Sequence, residues 1–318
     1  MSSGYAGVRV LVLGASGFIG RWVARSLASC GADVTCGVRD VAAMRALSNA
    51  YGLETRVVPV DLLDAMAVAD LIDAWRPTIT FNLAGYGIDR SERNEARSWR
   101  INAELVEQLG ELVHRTPSGL WPGQRLVHAG SALEYGPIGG SLPEDARPAP
   151  TTLYGVSKLA GTRSLVDQWP LSSVTARLFT VYGPGEHDGR LLPTLLEARR
   201  HTQLVGLSEG LQLRDFTYVE DVAEGLLRLG RQPSIPGGVV NLATGRQCRV
   251  RDFAETTAVV LGIPSSRLSF GALPGRTDEM PHDAVSVTRL RQILGWVPSI
   301  SVADGVQRTA LFFGVDVP

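Results

Sequence analysis

Val8-Arg9-Val10-Leu11-Val12-Leu13-Gly14-Ala15-Ser16-Gly17-Phe18-Ile19-Gly20 decides the fold. Val8 to Leu13 is a short β-branched, apolar run of the kind found in a strand buried on both faces. It leads straight into a glycine turn, and beyond Gly20 a helical pattern carries Trp22, Val23 and Leu27. Gly14 lets the chain turn sharply, Gly17 lets backbone approach a pyrophosphate, and Gly20 lets helix and strand pack closely. Together with Ser16, Phe18 and Ile19 they set the free N–H groups of a helix N-terminus where phosphates bind. The spacing is G-x-x-G-x-x-G, one residue longer than the G-x-G-x-x-G fingerprint. Strand, glycine turn and helix in this order open a dinucleotide-binding unit.

Outward from there the chain alternates strands and helices. Asp33 to Val38 reads as the second strand, ending at Arg39-Asp40, about 20 residues past the loop, where the ribose of the adenosine half is read. An acid there accepts the ribose hydroxyls of NAD(H), and an arginine pairs with the 2′-phosphate of NADP(H). Arg39 comes first, so NADP(H) is favoured over NAD(H), with Asp40 keeping the second open. Arg56 to Val60 is a third strand, whose end at Asp61-Leu62 borders the expected adenine position. Thr78 to Leu83 is a fourth, running into Asn82-Leu83-Ala84-Gly85, small residues against which a cofactor can lie. Glu95 to His114 reads as a long amphipathic helix containing Asn102, and Arg125 to Ala129 as a fifth strand. The fold class is therefore α/β, a Rossmann-like doubly wound parallel sheet with ligands at its carboxyl edge, followed by a smaller α/β C-terminal region.

Two further features lie near that edge. Ser131 follows the fifth strand, where a hydroxyl can hydrogen-bond a substrate carbonyl or hydroxyl. Downstream, Tyr154-Gly155-Val156-Ser157-Lys158 places tyrosine and lysine four apart on one helix face. A neighbouring ammonium favours the phenolate, so Lys158 is expected to draw the Tyr154 pKa down and let it shuttle a proton. The spacing is common on surface helices, and its meaning comes from the glycine loop and Ser131 preceding it in order.

Composition narrows the class. Over 318 residues the net charge is −1 and 20% of residues are charged, with no basic block to suggest nucleic acid. No apolar run approaches the ~20 residues of a membrane span, and no signal-peptide pattern opens the chain. Cys30, Cys36 and Cys248 lack metal-ligand spacing, so no metal is expected and packed, reduced thiols are. These features point to a cytoplasmic protein.

The chain resembles the extended short-chain dehydrogenase/reductases, the branch of nucleotide-sugar epimerases, dehydratases and 4-keto reductases. The resemblance rests on GASGFIG at Gly14–Gly20, NLAG at Asn82–Gly85, SALEYG at Ser131–Gly136 and YGVSK at Tyr154–Lys158. It continues through RLFTVYGPG at Arg177–Gly185, RDFTYVEDVA at Arg214–Ala223, NLATG at Asn241–Gly245 and LGWVPSIS at Leu294–Ser301. It implies a catalytic set of Ser131, Tyr154 and Lys158, with Lys158 also holding the nicotinamide ribose. Residues 1–178 would form the NAD(P)-binding domain, with a return at about 215–248, and residues 179–318 would close over a nucleotide sugar. By the same resemblance Asn102, Thr180, His187, Arg214, Arg276 and Glu279 are substrate-side candidates, and two arginines suit a pyrophosphate in their own right. Asp215 is expected as an acid partner, Asp221 as a helix-start residue, and Trp296 as packing. A homodimer pairing the helices Glu95–His114 and Tyr154–Gln168 is implied as well.

Departures from the family pattern shape the expected chemistry. Thr180 stands where many relatives carry asparagine. Dehydratases of this branch have Thr-Asp-Glu before the Tyr-Gly pair, whereas here the positions read Ser131-Ala132-Leu133. Without an acid–base pair there is no means of eliminating water. A cysteine for C3/C5 epimerisation is absent from position 133 too, while His187 offers a substrate-side acid. Glu134, where an apolar residue is usual, has no account from the sequence. The reading reached is an NADP(H)-dependent reductase of a nucleotide-linked 4-keto-(6-deoxy)sugar. An NAD-dependent nucleotide-sugar 4-epimerase is the alternative, and a non-catalytic NAD(P)-sensing scaffold the reading from a different class.

Overall fold

The computed structural model describes residues 4–87, 92, 94–116, 119–275 and 284–317. Seven parallel strands make the central sheet: β1 Arg9–Leu13, β2 Asp33–Val38, β3 Arg56–Pro59, β4 Ile79–Asn82, β5 Leu126–Ser131, β6 Ser173–Leu178 and β7 Val239–Leu242. Their order is β7-β6-β5-β4-β1-β2-β3, so the sheet is built outward in both directions from β1, which pairs with β2 on one side and β4 on the other. That reversal opens a crevice beyond the carboxyl ends of β1 and β4, where ligands of doubly wound sheets bind.

The apolar runs of the strands follow from what covers them. Val10 and Val12 face one layer, packed with Val23 and Leu27 of the helix Phe18–Ser29 and Val222 and Leu226 of the helix Val219–Gly230. Leu11 and Leu13, one residue out of phase, face the other layer with Ile72, Leu105 and Leu109. Successive strand residues point to opposite faces, and with both faces buried neither set can be polar.

Two elements depart from the sequence reading. The Glu95–His114 helix is interrupted: helix Glu95–Trp99 passes through a π-helical turn, Arg100–Glu104, into helix Leu105–Arg115. β6 carries Ser173, Thr175 and Arg177 yet is buried at every position, so its alternating polarity conceals a central strand.

A second core gathers Tyr182, Leu195, Phe216, Tyr218, Phe253 and Leu261, with the Phe216 and Phe253 rings stacked at 4.1 Å. Short strand pairs frame it: Thr180–Tyr182 with Phe216–Tyr218, and Val205–Leu207 with Leu268–Phe270. Between these, the Val219–Gly230 helix and β7 return to the main sheet. Asp221, in the first turn of that helix, accepts from the Ser299 and Ile300 N–H groups at 2.8 and 2.9 Å and so fastens the C-terminal segment. Trp296 packs there under the Arg228 guanidinium, 5.0 Å from the ring. Among the described residues no helix is long and apolar enough to cross a membrane.

Candidate active site

The crevice floor is the glycine turn. Gly14 has φ +77°, and a Cβ there would lie 2.6 Å from the Ala84 backbone nitrogen, so the turn presses directly on the end of β4. A Cβ on Gly20 would overlap the Gly14 carbonyl oxygen. The N-cap position of the following helix is Gly17, with no side chain capping it, which leaves first-turn N–H groups at Phe18 and Ile19 directed to the crevice. Arg21 braces the loop from behind, donating to the Gly17 carbonyl at 3.0 Å and the Ser16 carbonyl at 3.0 Å. Such a floor fits a dinucleotide: it leaves backbone donors for phosphates and excludes the side chains that would fill their place.

At the end of β2, Asp40 is engaged as the N-cap of the helix Val41–Tyr51, accepting from Ala43 N–H at 2.9 Å. Arg39 is exposed. Asp61 accepts from Leu63 N–H at 3.0 Å and turns the chain after β3, with Leu62 half-buried beside it. Leu83, Ala84 and Gly85 continue from β4 along the crevice. A Cβ on Gly85 would have Lys158 Nζ at 3.6 Å and Asn102 Oδ1 at 3.8 Å, so cofactor strip and lysine share one wall.

Tyr154 and Lys158 lie in the first two turns of the helix Leu153–Gln168, started by Thr152, whose hydroxyl accepts from Gly155 N–H at 3.1 Å. Lys158 does not act on the phenol as expected. Its ammonium runs inward to the Ala129 carbonyl at 2.9 Å and the Ala84 carbonyl at 3.5 Å, and burial lowers its pKa to about 8, with Glu134 pulling the other way. Burial, aided by the charges of Glu134 and Glu92, pushes the Tyr154 phenol above its ordinary range, against a hydrogen bond with the Ser131 hydroxyl and the charge of Arg190. The drop in tyrosine pKa expected from four-residue spacing is thus reversed in this structure, because shared helix face does not bring Nζ to the phenol. What the fold does bring together is Ser131 and Tyr154.

Asn102 also differs from expectation. Fully buried, it donates to the Tyr86 carbonyl at 2.7 Å and the Ser157 hydroxyl at 3.0 Å, and accepts from Tyr86 N–H at 3.1 Å. Its amide pins the crevice wall from within, and the π-helical turn sets it there; such turns recur at functional sites. Thr180 is half-buried, its N–H bonded to the Asp215 carbonyl at 3.0 Å. Arg214 is half-buried beside it and donates to the Leu213 carbonyl at 2.7 Å. Asp215 is a buried acid whose carboxylate accepts from Thr217, Thr244 and Gly245; among the described residues no ion pair to it is seen. Arg276 and Glu279 lie outside the described residues.

In the Gly183–Gly189 turn His187 is exposed, and the buried acid is its neighbour. Burial pushes the Glu186 carboxyl up to about 7, opposed by Arg190 and the Gly183 backbone, and Glu186 Oε2 has no hydrogen-bond partner among the described residues. Arg190 thus acts on both Glu186 and Tyr154. Neither residue was singled out from the sequence, since only the turn's docking, with Trp22 Nε1 donating to the Pro184 carbonyl at 2.8 Å, places them at the crevice. A carboxyl with a raised folded pKa stabilises the fold below its unfolded value of 4.5 and loses that contribution as pH rises through about 7. Glu186→Gln is expected to match the parent near pH 4 and to exceed it at pH 8 by on the order of 1–3 kcal/mol, read by urea denaturation of ligand-free protein.

Glu134 and Arg177 are the other unforeseen pair. They meet at 2.9 Å with side chains 0% and 3% exposed, directly behind Ser131. A cavity of about 610 Å³ bordered by Asp188, Thr194, Glu197 and Arg267 is a separate feature; Ser131, Tyr154 and Lys158 do not line it.

Relatives share this plan along their whole length. The chain is 32% identical over 317 residues, 95% of its own length and 94% of the relative's, to dTDP-6-deoxy-L-talose 4-dehydrogenase (NAD(P)(+)) of Kitasatospora kifunensis. It is 27% identical over 328 residues, 96% and 98% of the two chains, to UDP-glucose 4-epimerase of Mycolicibacterium smegmatis. The solved structure of MoeE5 in complex with UDP-glucuronic acid and NAD superposes with a TM-score of 0.79 at 27% identity, over 96% of this chain and 99% of that one. Residues 10–243 match the model of one family, from within β1 to just past β7, and on that match the chain belongs to the NAD-dependent epimerase/dehydratase family, enzymes that bind NAD(P).

Proposed function

We propose that this enzyme is an NADP(H)-dependent reductase of a nucleotide-linked 4-keto-(6-deoxy)hexose. The observation that carries the reading is the turn after β5. Ser131 and Tyr154 lie together, close enough for the Ser131 hydroxyl to act on the phenol, Ala132 and Leu133 offer no acid or base, and the carboxylate of Glu134 is turned into the core. One proton donor with one hydroxyl beside it suits hydride and proton transfer at a single carbon and lacks what elimination of water needs. A nicotinamide bound along Leu83–Gly85 would supply the hydride. The Tyr154 phenol protonates the developing alkoxide, the Ser131 hydroxyl holds that oxygen, and Lys158 fixes the wall beside them. The neutral phenol carries the proton that reduction uses, and oxidation must first remove it. Chemistry in the opposite direction is named for the Kitasatospora relative.

A 4-epimerase is the second reading, favoured by the Mycolicibacterium relative and compatible with the same residues. For the cofactor, Asp40 is occupied at a helix cap while Arg39 is free to meet a 2′-phosphate. Residues 179–318 outside the return at about 215–248 are assigned to the sugar nucleotide, with Thr180, Arg214, Arg276, Glu279 and the His187 turn on its side. Dimerisation through the Leu105–Arg115 and Leu153–Gln168 helices is part of the proposal. Membership of an enzyme family leaves the non-catalytic scaffold without support. The test supplies purified protein with dTDP- and UDP-linked 4-keto-6-deoxyhexoses and either NADPH or NADH. Consumption of NADPH is expected, and Arg39→Ala should raise the KM for NADPH about 10–100-fold, as loss of one charged hydrogen bond does, with NADH unaffected. Protein that retains its cofactor and interconverts two sugars without added NADPH is an epimerase.

A further inference from the structure

A fully buried carboxylate sits one turn behind the proton-transfer pair, and packing alone does not account for it. One oxygen of Glu134 accepts from Ser131 N–H at 2.8 Å, and the other accepts from Arg177 Nε at 2.9 Å. The backbone is closed around it: a Cβ on Gly130 would lie 2.6 Å from Glu134 Oε1 and 2.6 Å from Thr175 Cγ2. Ser131 completes a reciprocal cap, its hydroxyl accepting from Leu133 N–H at 3.2 Å while also meeting Tyr154. Arg177 is locked in turn, with its guanidinium 4.3 Å from the Tyr135 ring and bonded to the Glu144 carbonyl at 3.4 Å. Apolar residues of the same size would stabilise such an interior as well or better. The ion pair therefore calls for a role in the site.

We propose that Glu134 is a positioning residue of the proton-transfer site, its carboxylate aiming the Ser131 hydroxyl at Tyr154 and supplying the fixed negative charge that keeps Lys158 an ammonium. This rests on the proton-transfer reading of Ser131 and Tyr154 given above. Lys158 faces the Ala84 and Ala129 carbonyls, His128 of β5, and Glu134. Burial, with Lys158 adding to it, holds His128 in its neutral form, so Glu134 is the anion on that side, paired with Arg177 behind it. Both halves of the role are separable by substitution. Glu134→Gln keeps an acceptor for Ser131 N–H and removes the charge, whereas Glu134→Asp keeps the charge and withdraws it by one methylene.

The experiment follows Lys158 by NMR of lysine labelled with carbon-13 at Cε in ligand-free protein, alongside steady-state kinetics. In Glu134→Gln the Lys158 midpoint, which burial already holds below the ordinary lysine value in the parent, is expected to fall by about one unit more. Should that variant fold poorly with Arg177 unpaired, the double variant Glu134→Gln, Arg177→Met leaves no buried lone charge, and a smaller fall in the same direction is expected there because a cation leaves with the anion. Glu134→Asp should keep the midpoint and lose about tenfold or more in kcat with KM unchanged, as a misplaced catalytic group does. A midpoint unmoved in the folded charge-removing variants overturns the electrostatic half, and full kcat in Glu134→Asp overturns the positioning half. The titration needs no substrate: a moved midpoint without 4-keto reduction sinks the functional reading alone, and reduction with an unmoved midpoint sinks this one.

Discussion

Tyr154→Phe is expected to lower kcat for the physiological reaction by about 10²–10⁴-fold, the usual contribution of a positioned general acid or base. That corresponds to about 3–5 kcal/mol of barrier. The ring itself is a wall of the crevice: a Cβ on Gly87 would lie 3.5 Å from Tyr154 Cδ2. Phenylalanine keeps that packing, so thermal stability and affinity for NAD(P) should stay near the parent values. Burial and the charges of Glu134 and Glu92 favour the neutral phenol. Reduction uses that form directly, and oxidation must first remove its proton. Parent oxidation rates should therefore climb with pH through the alkaline range, and the residual rate of Tyr154→Phe should not follow. Stopped-flow absorbance of the nicotinamide in both directions measures this. A variant within threefold of the parent kcat would remove Tyr154 from the chemistry.

That the crevice could be located from sequence and the electrostatics could not has a physical basis. β1, β2 and the glycine turn are local: the apolar runs and three glycines need only their neighbours to be read. The ends of β4 and β5 were equally visible, because strands buried on both faces tolerate little besides apolar residues. β6 escaped because Ser173, Thr175 and Arg177 are buried by tertiary contacts, and polar alternation in a strand suggests a solvated face. The S-x-x-E pattern of Ser131–Glu134 was a legible capping signal, yet its partner Arg177 is 43 residues away and nothing local predicts the meeting. Tyr154 and Lys158 illustrate the limit most directly. Helix geometry put them on one face, but where the ammonium goes was decided by two carbonyls, at Ala84 just past β4 and Ala129 in β5.

Arg177→Met is expected to destabilise the protein by about 3–5 kcal/mol, since removing one partner of a buried pair leaves an uncompensated charge. For a chain of this size that is about 5–8 °C in Tm. The expectation follows from position: Glu134 is 0% and Arg177 3% exposed, and among the described residues Arg177 is the one cation paired directly with the carboxylate. An exposed pair such as Arg200 and Glu197, at 3.0 Å and so nearly as close but with side chains 67% and 56% exposed, should give less than ~1 kcal/mol on the same kind of substitution. Near-equal distances with unequal losses would show that desolvation, not proximity, sets the cost. Pairing Arg177→Met with Glu134→Gln removes the lone charge and should recover most of the loss; the remainder measures the guanidinium's contact with the Tyr135 ring. Denaturant unfolding of the three variants settles it, and an Arg177→Met protein as stable as its parent would mean that Glu134 is held without its arginine. The coupling has a consequence for the site as well. Ser131 N–H and Arg177 draw on the same carboxylate, so loosening the pair should disturb Ser131 before the sheet itself gives way, and activity should be lost at lower denaturant than the fold.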